Sequence, residues 1–558
     1  MPKLKALEQL AAWRERYPAP CQAACPVHTD VRSYVTLTAQ RRFDEAYLAA
    51  RGPNPLPAIC GRACSAPCED VCTRQEFDRP LPIRRLKRFL SDRYHVPPAL
   101  VPTVQSTGCT VGVVGAGPTG LAAAHDLALV GHKVTVYEAA PEPGGMAILG
   151  VPRFRLARDA IRADVRDIEA LGVTIHNGTR VGRDISLETL RQEHDVVLVA
   201  AGAMRPNPLD APGVELAGVV QALPFLEVAN LGGLPACGKY VVVIGGGYTA
   251  MDAARTALRL GAEVTVLYRR TRSESEVHDE ELEETLHEGV RIQYLVSPVR
   301  VVDNGHGRAG GVEFIRNALG EPDSSGRPRP VPIPGSEFIH ACDMVILALG
   351  QSPDARALDP ELADVLRNVD QATLMTSIPG IFAAGDFVTG PSTIIEAIAD
   401  GRTAAAAIHR YLAKVRLPIN PWPEVPETWP LAPVALPPPG TSVYRENGHS
   451  RGELSLVAEV EDPPEVAWAV SDSLRCLYCG LVPQVIFDHC TACQECALVC
   501  PVECISRVAL NPDNSTRPID GPTDIIVYEI SGEECITCGR CFGACPTGAI
   551  VVEGFSWY

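Results

Sequence analysis

The sequence lacks a long uninterrupted apolar run, an excess of basic residues and an apolar stretch near its start. Its formal charge of −17 over 558 residues argues against nucleic acid or an anionic membrane surface as partner, because either requires a basic face. The most apolar stretch, 109–130, contains four glycines, Pro118 and Asp126, which divide it into a strand, a turn and a helix rather than a membrane span. The charged opening MPKLKALEQLAAWRERYP is unlike a secretory signal, so we expect a reducing, cytoplasmic compartment.

Cysteine is the residue type in clear excess. Seventeen of the twenty cysteines fall in two blocks, 21–72 and 476–545. In a reducing compartment such clusters favour metal binding over disulfides.

The length predicts three or four domains, and alternating apolar strands and helices from about residue 106 predict a parallel α/β sheet. A second α/β unit begins near 240. We predict an α/β protein with two Rossmann-like domains, the NAD(P) domain inserted in the FAD domain, between a helical iron–sulfur domain and a ferredoxin-like α+β domain. The predicted ranges are 1–105 for the N-terminal iron–sulfur domain, 106–235 plus 345–415 for FAD, 236–344 for NAD(P), 416–470 for a proline-rich linker and 471–558 for the ferredoxin domain.

The first nucleotide fingerprint is Gly115-Ala-Gly117-Pro-Thr-Gly120, between an apolar strand and a helical run. In such a loop the glycines allow a tight turn, approach of the backbone to a pyrophosphate, and close contact of helix and strand. Glu138 ends the next strand and suits a ribose hydroxyl pair. The alternative is a glycine turn that binds no ligand.

The second fingerprint is Gly245-Gly-Gly247-Tyr-Thr-Ala250, and its following strand ends in YRRTR. Guanidinium groups at this place pair with a 2′-phosphate, which favours NADP(H) over NAD(H). The alternative is that some of these arginines are solvated or bind something else. The predicted NAD(P) residues are Gly245, Gly247, Ala250, Arg269, Arg270 and Arg272.

Opposite ribose preferences in one chain predict FAD at the first loop and a nicotinamide nucleotide at the second. GIFAAGDFVTG then supplies the last FAD-domain strand and Asp386, suited to the ribityl chain, although Asp386 can also be read as a turn residue. The helix that follows would direct its positive end at the flavin ring. Hydride transfer at the flavin needs no side-chain acid or base, so we predict no catalytic residue.

The most specific signal is a repeated C-x2-C-x2-C-x3-C-P run near the carboxyl end. Two such runs are typical of bacterial ferredoxins, in which the fourth cysteine of each run binds the other cluster, whereas zinc sites prefer two separated pairs. One predicted [4Fe-4S] set is Cys490, Cys493, Cys496 and Cys545. The other is Cys535, Cys538, Cys541 and Cys500.

The N-terminal block holds a second group of cysteines. Pro67 argues against one continuous helix through it, so its thiolates can converge from a loop. We predict at least one cluster, with zinc or free thiols as alternatives. The candidate ligands are Cys21, Cys25, Cys60, Cys64, Cys68 and Cys72.

These motifs resemble the flavoprotein family of the glutamate synthase small subunit, which includes the electron-entry half of dihydropyrimidine dehydrogenase. The likeness covers residues 20–415 and is carried by CQAACP, NPLPAICGRACSAPCEDVC, GAGPTGLAAA, GGMAILGVPRFRL, YRRTRSE and GIFAAGDF. The resemblance implies that Gly145, Gly150 and Arg155 line the FAD. It also implies NADPH oxidation at that flavin.

The sequence departs from this family in two places. Members usually carry a C-x2-C just before the position of Cys21, and here the first twenty residues contain no cysteine. An RCLYCG stretch holds Cys476 and Cys479, so we hypothesise that this pair joins Cys21 and Cys72 and leaves Cys25, Cys60, Cys64 and Cys68 for another cluster. The alternative is a separate metal knuckle or a free pair. The second departure is the ferredoxin module itself.

That module resembles electron-transfer subunits of ferredoxin-linked 2-oxoacid, aldehyde or benzoyl-CoA oxidoreductases, some of which use NAD and reverse the electron flow. We therefore expect an NAD(P)H-dependent FAD and iron–sulfur oxidoreductase that serves ferredoxin or catalytic subunits in a hetero-oligomer. The alternatives are a glutamate synthase small subunit and a non-catalytic cluster scaffold. A thioredoxin reductase is disfavoured because the second nucleotide domain lacks a C-x2-C, having only Cys237 and Cys342 near its ends.

Overall fold

The computed structural model divides the chain into two compact units. One combines Met1–Pro97 with Pro423–Asn447 and Pro463–Tyr558, and the other combines Pro98–Trp422 with Gly448–Asp462. Most of the predicted proline-rich linker, 417–454, lies outside the described residues. Within the described part of the chain, no helix is both long and apolar enough to cross a membrane. The structure describes residues 19–94, 106–323, 326–416, 455–461, 463–477, 479, 483–500, 502–521, 524–531, 535, 539–547 and 549–552.

The first sheet of the larger unit is parallel and has five strands. Its central strand is Thr110–Val114, whose residues from Val111 onward are buried. Helices cover both faces of such a sheet, which is why its central strands are largely apolar. In order across the sheet the strands are Ile381–Ala383, Val196–Val199, Thr110–Val114, Lys133–Tyr137 and Thr174–His176.

The second sheet repeats this arrangement with five parallel strands. The chain leaves the first sheet after Val196–Val199 and returns to it only at Ile381–Ala383. The insertion of one nucleotide domain into the other, predicted from the sequence, is therefore confirmed. In order the strands are Val219–Gln221, Met344–Leu347, Tyr240–Ile244, Glu263–Tyr268 and Arg291–Tyr294.

The strand pairing bears on the predicted domain ranges. Val219–Gln221 pairs with Met344–Leu347 in the second sheet, so the predicted NAD(P) range of 236–344 leaves out one strand and cuts another. The short pair of Arg205–Pro206 with Gln351–Ser352 connects the two sheets. As limits of independent folding units the ranges stay a prediction.

Helices and an antiparallel sheet complete the larger unit. The antiparallel strands are Val296–Asp303, Ala309–Pro322, Pro328–Pro332 and Phe338–Ala341. The α-helices are Pro118–Leu129, Met146–Leu149, Arg158–Glu169, Leu187–Glu193, Ala222–Asn230, Tyr248–Arg259, Asp279–Glu288, Ala363–Arg367, Asp386–Thr389 and Ile394–Arg416.

The N-terminal part of the smaller unit is helical. The helices Pro57–Ala63 and Pro67–Asp70 are separate, as Pro67 predicts, because a proline fits the first turn of a helix and not its interior. The other α-helices here are Pro20–Ala23, Val31–Ala39, Phe43–Arg51 and Ile83–Arg93.

The C-terminal part of the smaller unit is α+β. Two short antiparallel sheets combine Pro483–Val485 with Ile550–Val552, and Ile505–Leu510 with Thr516–Arg517 and Ile525–Ile530. Its described α-helices are Val466–Ser473, Glu495–Leu498 and Arg540–Ala544. Val466–Ser473 crosses the predicted linker boundary at 470.

One hydrophobic core joins the two ends of the chain. Tyr34, Leu86 and Phe89 from the N-terminal helices share it with Ala469 and Phe542 from the C-terminal part. All five side chains are 0–1% exposed. The N-terminal helices and the ferredoxin-like part therefore pack as one unit, which the sequence had suggested only as two domains.

Candidate functional site

The first glycine loop is shaped by contacts of the protein with itself at two of its three glycines. Gly115 has a φ of +102°, and an added Cβ would meet the carbonyl oxygen of Ala200 at 2.5 Å. At Gly120 an added Cβ would lie 1.9 Å from the carbonyl oxygen of Gly115, so the helix can contact the strand only through glycine. These two positions determine the turn.

Gly117 differs from both neighbours. It is extended, and the nearest atom to an added Cβ is the Cα of Gly145 at 3.8 Å, so the protein itself does not require glycine here. Gly145, at a φ of +54°, would place its own added Cβ 2.6 Å from Gly117. A backbone left bare at the amino end of the helix Pro118–Leu129 is what approach of a pyrophosphate requires. The loop therefore fits FAD.

Glu138 supports this loop as well as facing it. Its Oε2 accepts the N–H of Ala116 and its Oε1 accepts the N–H of Ala140, both at 2.7 Å. Burial raises the pKa of Glu138, although the N–H donors oppose this effect. Because each carboxylate oxygen has two acceptor sites, a ribose hydroxyl can still bind. The ribose role stays a prediction.

Asp386 lies close to the same helix start. Its Oδ1 accepts the N–H of Ser392 at 3.1 Å and the hydroxyl of Ser392 at 2.6 Å, and burial raises its pKa. The preceding Gly385, at a φ of +67°, would place an added Cβ 2.3 Å from the hydroxyl oxygen of Thr119. The Asp386 turn is thus held against the first glycine loop, although its own hydrogen bonds also fit the simpler reading as a turn residue.

The remaining predicted FAD residues, Gly150 and Arg155, are placed differently. An added Cβ at Gly150 would meet the terminal carbon of Met146 at 2.4 Å, so local packing already favours glycine. Arg155 pairs with Asp252 at 2.7 Å and with Glu281 at 2.8 Å, both from helices of the second nucleotide domain. The structure therefore engages the Arg155 guanidinium between the two nucleotide domains, and its role at the flavin remains a prediction.

The second glycine loop repeats the logic of the first. Gly245 has a φ of +150° and an added Cβ would lie 2.3 Å from the carbonyl oxygen of Ala348, whereas an added Cβ at Gly247 would meet nothing within 4 Å. Ala250 is fully buried in the helix Tyr248–Arg259. The open position again lies at the helix amino terminus, where a dinucleotide phosphate binds.

The three predicted phosphate-binding arginines are not equivalent. Arg270 is 2% exposed, forms an ion pair with Asp323 and donates to the carbonyl oxygen of Pro328 at 2.9 Å, so it holds the antiparallel sheet. Arg272 pairs with Asp279 and Glu283, each at 2.7 Å, and is 42% exposed. Arg269 is exposed. Of the three, Arg269 and Arg272 have guanidinium groups that a solvent-borne 2′-phosphate can reach.

In the ferredoxin-like part, four predicted ligands line one cavity. Burial and the neighbouring Cys545 together raise the pKa of the Cys496 thiol to about 11. Cys545 belongs to the other run, so the exchange of fourth cysteines expected for bacterial ferredoxins fits this geometry. The four are Cys490, Cys493, Cys496 and Cys545.

The second ferredoxin set is described in part, because Cys538 lies outside the described residues. The Sγ atoms of Cys500 and Cys504 are 3.5 Å apart, and Cys504 also interacts with Cys535. Cys504, expected to be a packing residue, is 3% exposed and lies directly beside two predicted ligands. Burial, together with the neighbouring Cys500 and Cys535, raises the pKa of the Cys504 thiol to about 12.

Four N-terminal thiols surround a buried lysine. Burial works against a charge on Lys87, yet the combined effect of these cysteines raises its pKa. Cys64 and burial raise the pKa of the Cys60 thiol, and the nearby, fully buried Asn54 lowers it. A metal centre there would have both a buried cation and an amide donor beside it. The four are Cys25, Cys60, Cys64 and Cys68.

The last four thiols come from both ends of the chain. They line a second cavity, together with Thr73 and Arg74. Burial raises the pKa of the Cys21 thiol to about 12, with further contributions from Cys479 and Cys72. The four are Cys21, Cys72, Cys476 and Cys479. The structure thus groups the N-terminal cysteines in the two sets hypothesised from the sequence, while their binding of clusters stays a prediction.

Sequence reasoning missed the residues around these thiols. Lys87 and Asn54 carry no motif, and nothing in the sequence distinguishes them from surface or turn residues. Arg475 directly precedes Cys476, and a basic residue at this place was the one signal in the sequence that could have indicated an acidic partner on another segment. The structure pairs it with Asp78 at 2.8 Å.

Comparison with protein families matches three parts of the chain. Residues 109–401 match the family described as pyridine nucleotide-disulphide oxidoreductase. Residues 14–96 match dihydropyrimidine dehydrogenase domain II, 4Fe-4S cluster, and residues 489–550 match a 4Fe-4S dicluster domain. The predicted cofactors, FAD with a nicotinamide nucleotide and [4Fe-4S] clusters, are confirmed by these matches.

Three curated relatives show how far the likeness extends. NADP(+)-dependent formate dehydrogenase subunit beta of Moorella thermoacetica is 40% identical over 71% of this chain and 60% of its own length. NADPH-Fe(3+) oxidoreductase subunit beta of Geobacter sulfurreducens is 40% identical over 71% of this chain and 64% of its own length. Glutamate synthase [NADPH] small chain of Azospirillum brasilense is 38% identical over 72% of this chain and 88% of its own length.

The chain spans less than two thirds of the first two relatives and most of the third. The resemblance read from the motifs is confirmed, because the glutamate synthase small chain is matched over nearly its whole length. The chain therefore belongs to the glutamate synthase small-chain family of pyridine nucleotide-disulphide oxidoreductases, and it carries 4Fe-4S domains on both sides of the nucleotide-binding region.

Proposed function

We propose that the chain is the electron-transfer subunit of a larger oxidoreductase, connecting a nicotinamide nucleotide with ferredoxin or a catalytic partner. The observation that carries the proposal is the presence in one chain of two glycine loops with open central positions and several four-thiol groups. FAD, when bound, supplies the exchange between two-electron hydride chemistry and the single electrons that [4Fe-4S] clusters carry. The chemistry served is proposed to lie in another chain, because the matched families account for nucleotide and cluster binding.

The protein's own residues bind and orient the two nucleotides. Gly117 and Gly247 leave the backbone bare for phosphates, and each opens a helix whose amino terminus favours an anion. Arg155, between Asp252 and Glu281, holds the two nucleotide domains in one arrangement. Charged pairs of this kind cost desolvation but fix geometry when both partners are present.

NADP(H) is proposed as the nucleotide, with NAD(H) as the alternative. Arg269 and Arg272 lie after the second strand of the NAD(P) domain, where a 2′-phosphate would be recognised, and the two relatives matched at 40% identity are named for NADP(+) and NADPH. Both relatives are beta subunits, which supports a hetero-oligomer. A partner with a basic docking surface suits a chain of net charge −17. The thiol groups further suggest a reducing compartment such as the cytoplasm.

The experiment is an anaerobic titration of the purified chain with NADPH and, separately, NADH, following flavin and cluster absorbance together with iron and flavin content. Rapid bleaching of the flavin by NADPH, followed by bleaching of the clusters, is the expected result. Bleaching of the flavin with no change at the clusters would contradict the electron-transfer proposal. No bleaching by either nucleotide would favour a non-catalytic scaffold.

A second candidate is a glutamate synthase small subunit, favoured by the match to 88% of such a chain. It predicts formation of glutamate from glutamine and 2-oxoglutarate when a large subunit is added with NADPH. A complex that oxidises NADPH with ferredoxin yet forms no glutamate would exclude this candidate. A partner of 2-oxoacid, aldehyde or benzoyl-CoA oxidoreductase type is then the class to test.

A further inference from the structure

Two pairs of cysteines from opposite ends of the chain face one cavity. Cys21 lies in the short helix Pro20–Ala23 and Cys72 just after Pro67–Asp70, while Cys476 and Cys479 follow the helix Val466–Ser473. All four line this cavity. Neither pair is sufficient alone, because a tetrahedral metal or a cubane cluster takes four protein ligands.

Donors already point at the sulfurs and their neighbours. The Sγ of Cys479 lies 2.8 Å from the hydroxyl oxygen of Thr73, and the Sγ of Cys72 accepts the N–H of Leu81 at 3.5 Å. Arg32 donates to the carbonyl oxygen of Cys479 at 3.1 Å. Hydrogen bonds to sulfur favour the thiolate form, the form that binds metal.

A buried ion-pair network holds the second pair against the first. Arg475, 3% exposed, bonds Asp472 at 2.5 Å and Asp78 at 2.8 Å, and its carbonyl oxygen accepts from Arg74 at 3.3 Å. Arg74 also bonds Asp78 at 2.9 Å. Such groups are costly to bury unless their geometry is satisfied, so they fix the register of the two segments. Cys476 directly follows this network.

We propose that Cys21, Cys72, Cys476 and Cys479 form one four-thiolate site that binds a [4Fe-4S] cluster assembled from both ends of the chain. The proposal rests on the proposed function only for the choice of cluster over zinc. Segments that carry other thiols adjoin this site, since Cys25 is four residues from Cys21 and the carbonyl oxygen of Leu477 would lie 2.4 Å from a Cβ added at Gly539. A cluster at this position can exchange electrons with centres at the neighbouring thiol groups, whereas a structural zinc ion has no redox chemistry.

The test compares two double variants, Cys21→Ser/Cys72→Ser and Cys476→Ser/Cys479→Ser, with the quadruple variant and with Cys237→Ser as control. Cys237 lies in the larger unit and belongs to none of the four groups. Iron, sulfide and zinc are measured per chain, with the electron paramagnetic resonance spectrum of the reduced protein. Each double variant is expected to lose the same signal and about four iron atoms, and the quadruple variant to lose no more.

Other outcomes overturn the proposal. Losses that add in the quadruple variant would mean that the two pairs serve different centres, and no loss from Cys476→Ser/Cys479→Ser would mean that this pair holds no iron. Loss of about one zinc instead of iron would replace the cluster by a structural metal. Flavin bleaching by NADPH reports on the proposed function separately, because the nucleotide loops lie in the other unit.

A second measurement avoids variants that fail to fold. The wild-type holoprotein is oxidised stepwise with ferricyanide, and exposed thiols are alkylated and identified by mass spectrometry. The four thiols are expected to become reactive at one common rate, with release of about four iron atoms. Alkylation of Cys476 and Cys479 before any iron is released would overturn the proposal without any substitution.

Discussion

Arg269 is the side chain that we expect to distinguish NADPH from NADH. Arg269 is exposed and directly follows the strand Glu263–Tyr268, whereas Arg270 is 2% exposed and bound to Asp323. A charge-assisted hydrogen bond to the 2′-phosphate contributes about 1.5–3 kcal/mol. Arg269→Ala should therefore reduce kcat/KM for NADPH by about 10- to 150-fold and leave that for NADH unchanged, since 1.4 kcal/mol corresponds to about tenfold.

Arg272→Ala should have a smaller effect. Its guanidinium already pairs with Asp279 and Glu283 at 2.7 Å each, so binding a phosphate exchanges one set of partners for another. Exposed pairs of this kind differ by at most about 1 kcal/mol, which corresponds to about fivefold or less in kcat/KM. Arg291→Ala, which removes an equal charge from another exposed position in the same domain, is the matched control.

The assay is anaerobic stopped-flow reduction of the flavin at fixed ionic strength, with both nucleotides and all four proteins. The informative quantity is the ratio of kcat/KM for NADPH to that for NADH. A ratio unchanged in Arg269→Ala, or a loss as large in Arg291→Ala, would refute the assignment and show that general charge attracts the nucleotide. A wild type that prefers NADH would refute it at the outset.

Three further predictions concern other parts of the chain. Gly247→Ala should weaken nucleotide binding by at least about tenfold without lowering Tm, because the added Cβ would meet no protein atom. Gly120→Ala should lower Tm, because its Cβ would lie 1.9 Å from a carbonyl oxygen. Nucleotide titration and calorimetry check these two predictions. Burial opposes ionisation of Glu288, but hydrogen bonds from Arg259 and Arg255 outweigh burial and lower the pKa of Glu288 to about 2. A carboxyl group whose pKa is lower in the folded state stabilises the fold at pH values above its unfolded pKa. The stability advantage of the wild type over Glu288→Gln should therefore fall by about 3 kcal/mol as pH drops from about 4.5 to about 2. Urea unfolding at several pH values, followed by flavin fluorescence, measures this difference, and a difference that stayed constant would contradict the prediction. Lys87→Met should lower the reduction potential of a neighbouring cluster by on the order of 100 mV, because a buried charge at about 6 Å acts with an effective dielectric constant of about 20. A redox titration measures this potential, and an unchanged midpoint would mean that the cluster lies elsewhere.

Much of the fold could be predicted because its signals are local. The glycine loops at 115–120 and 245–250 follow apolar strands and precede helices, and such a pattern depends on backbone conformation within a few residues. The inserted second sheet was also predicted. The exact domain limits stay a prediction, and local patterns are a poor guide to them, because Val219–Gln221 and Met344–Leu347 join the second sheet through pairing between distant segments.

The side chains around the sites were predicted less well. Arg155 and Arg270 carry the charge expected of nucleotide ligands, yet carboxylates from other elements engage both. A sequence reports that a guanidinium is present but not which carboxylate lies within 3 Å of it. Lys87 was missed for the same reason, because its importance lies in four thiols, from separate parts of the N-terminal block, that act on its charge.

The sequence by itself determined the chemistry that each short motif can perform. A spacing of two or three residues between cysteines keeps their sulfurs within reach of one cluster, and a glycine fingerprint between a strand and a helix leaves bare backbone at the start of the helix. Only the tertiary structure decided which motifs meet. Cys21 and Cys72 share a cavity with Cys476 and Cys479 because one hydrophobic core and the Arg475 ion pairs hold the two ends together. Contacts over that separation follow from the packing of whole helices, which no spacing within a motif can specify.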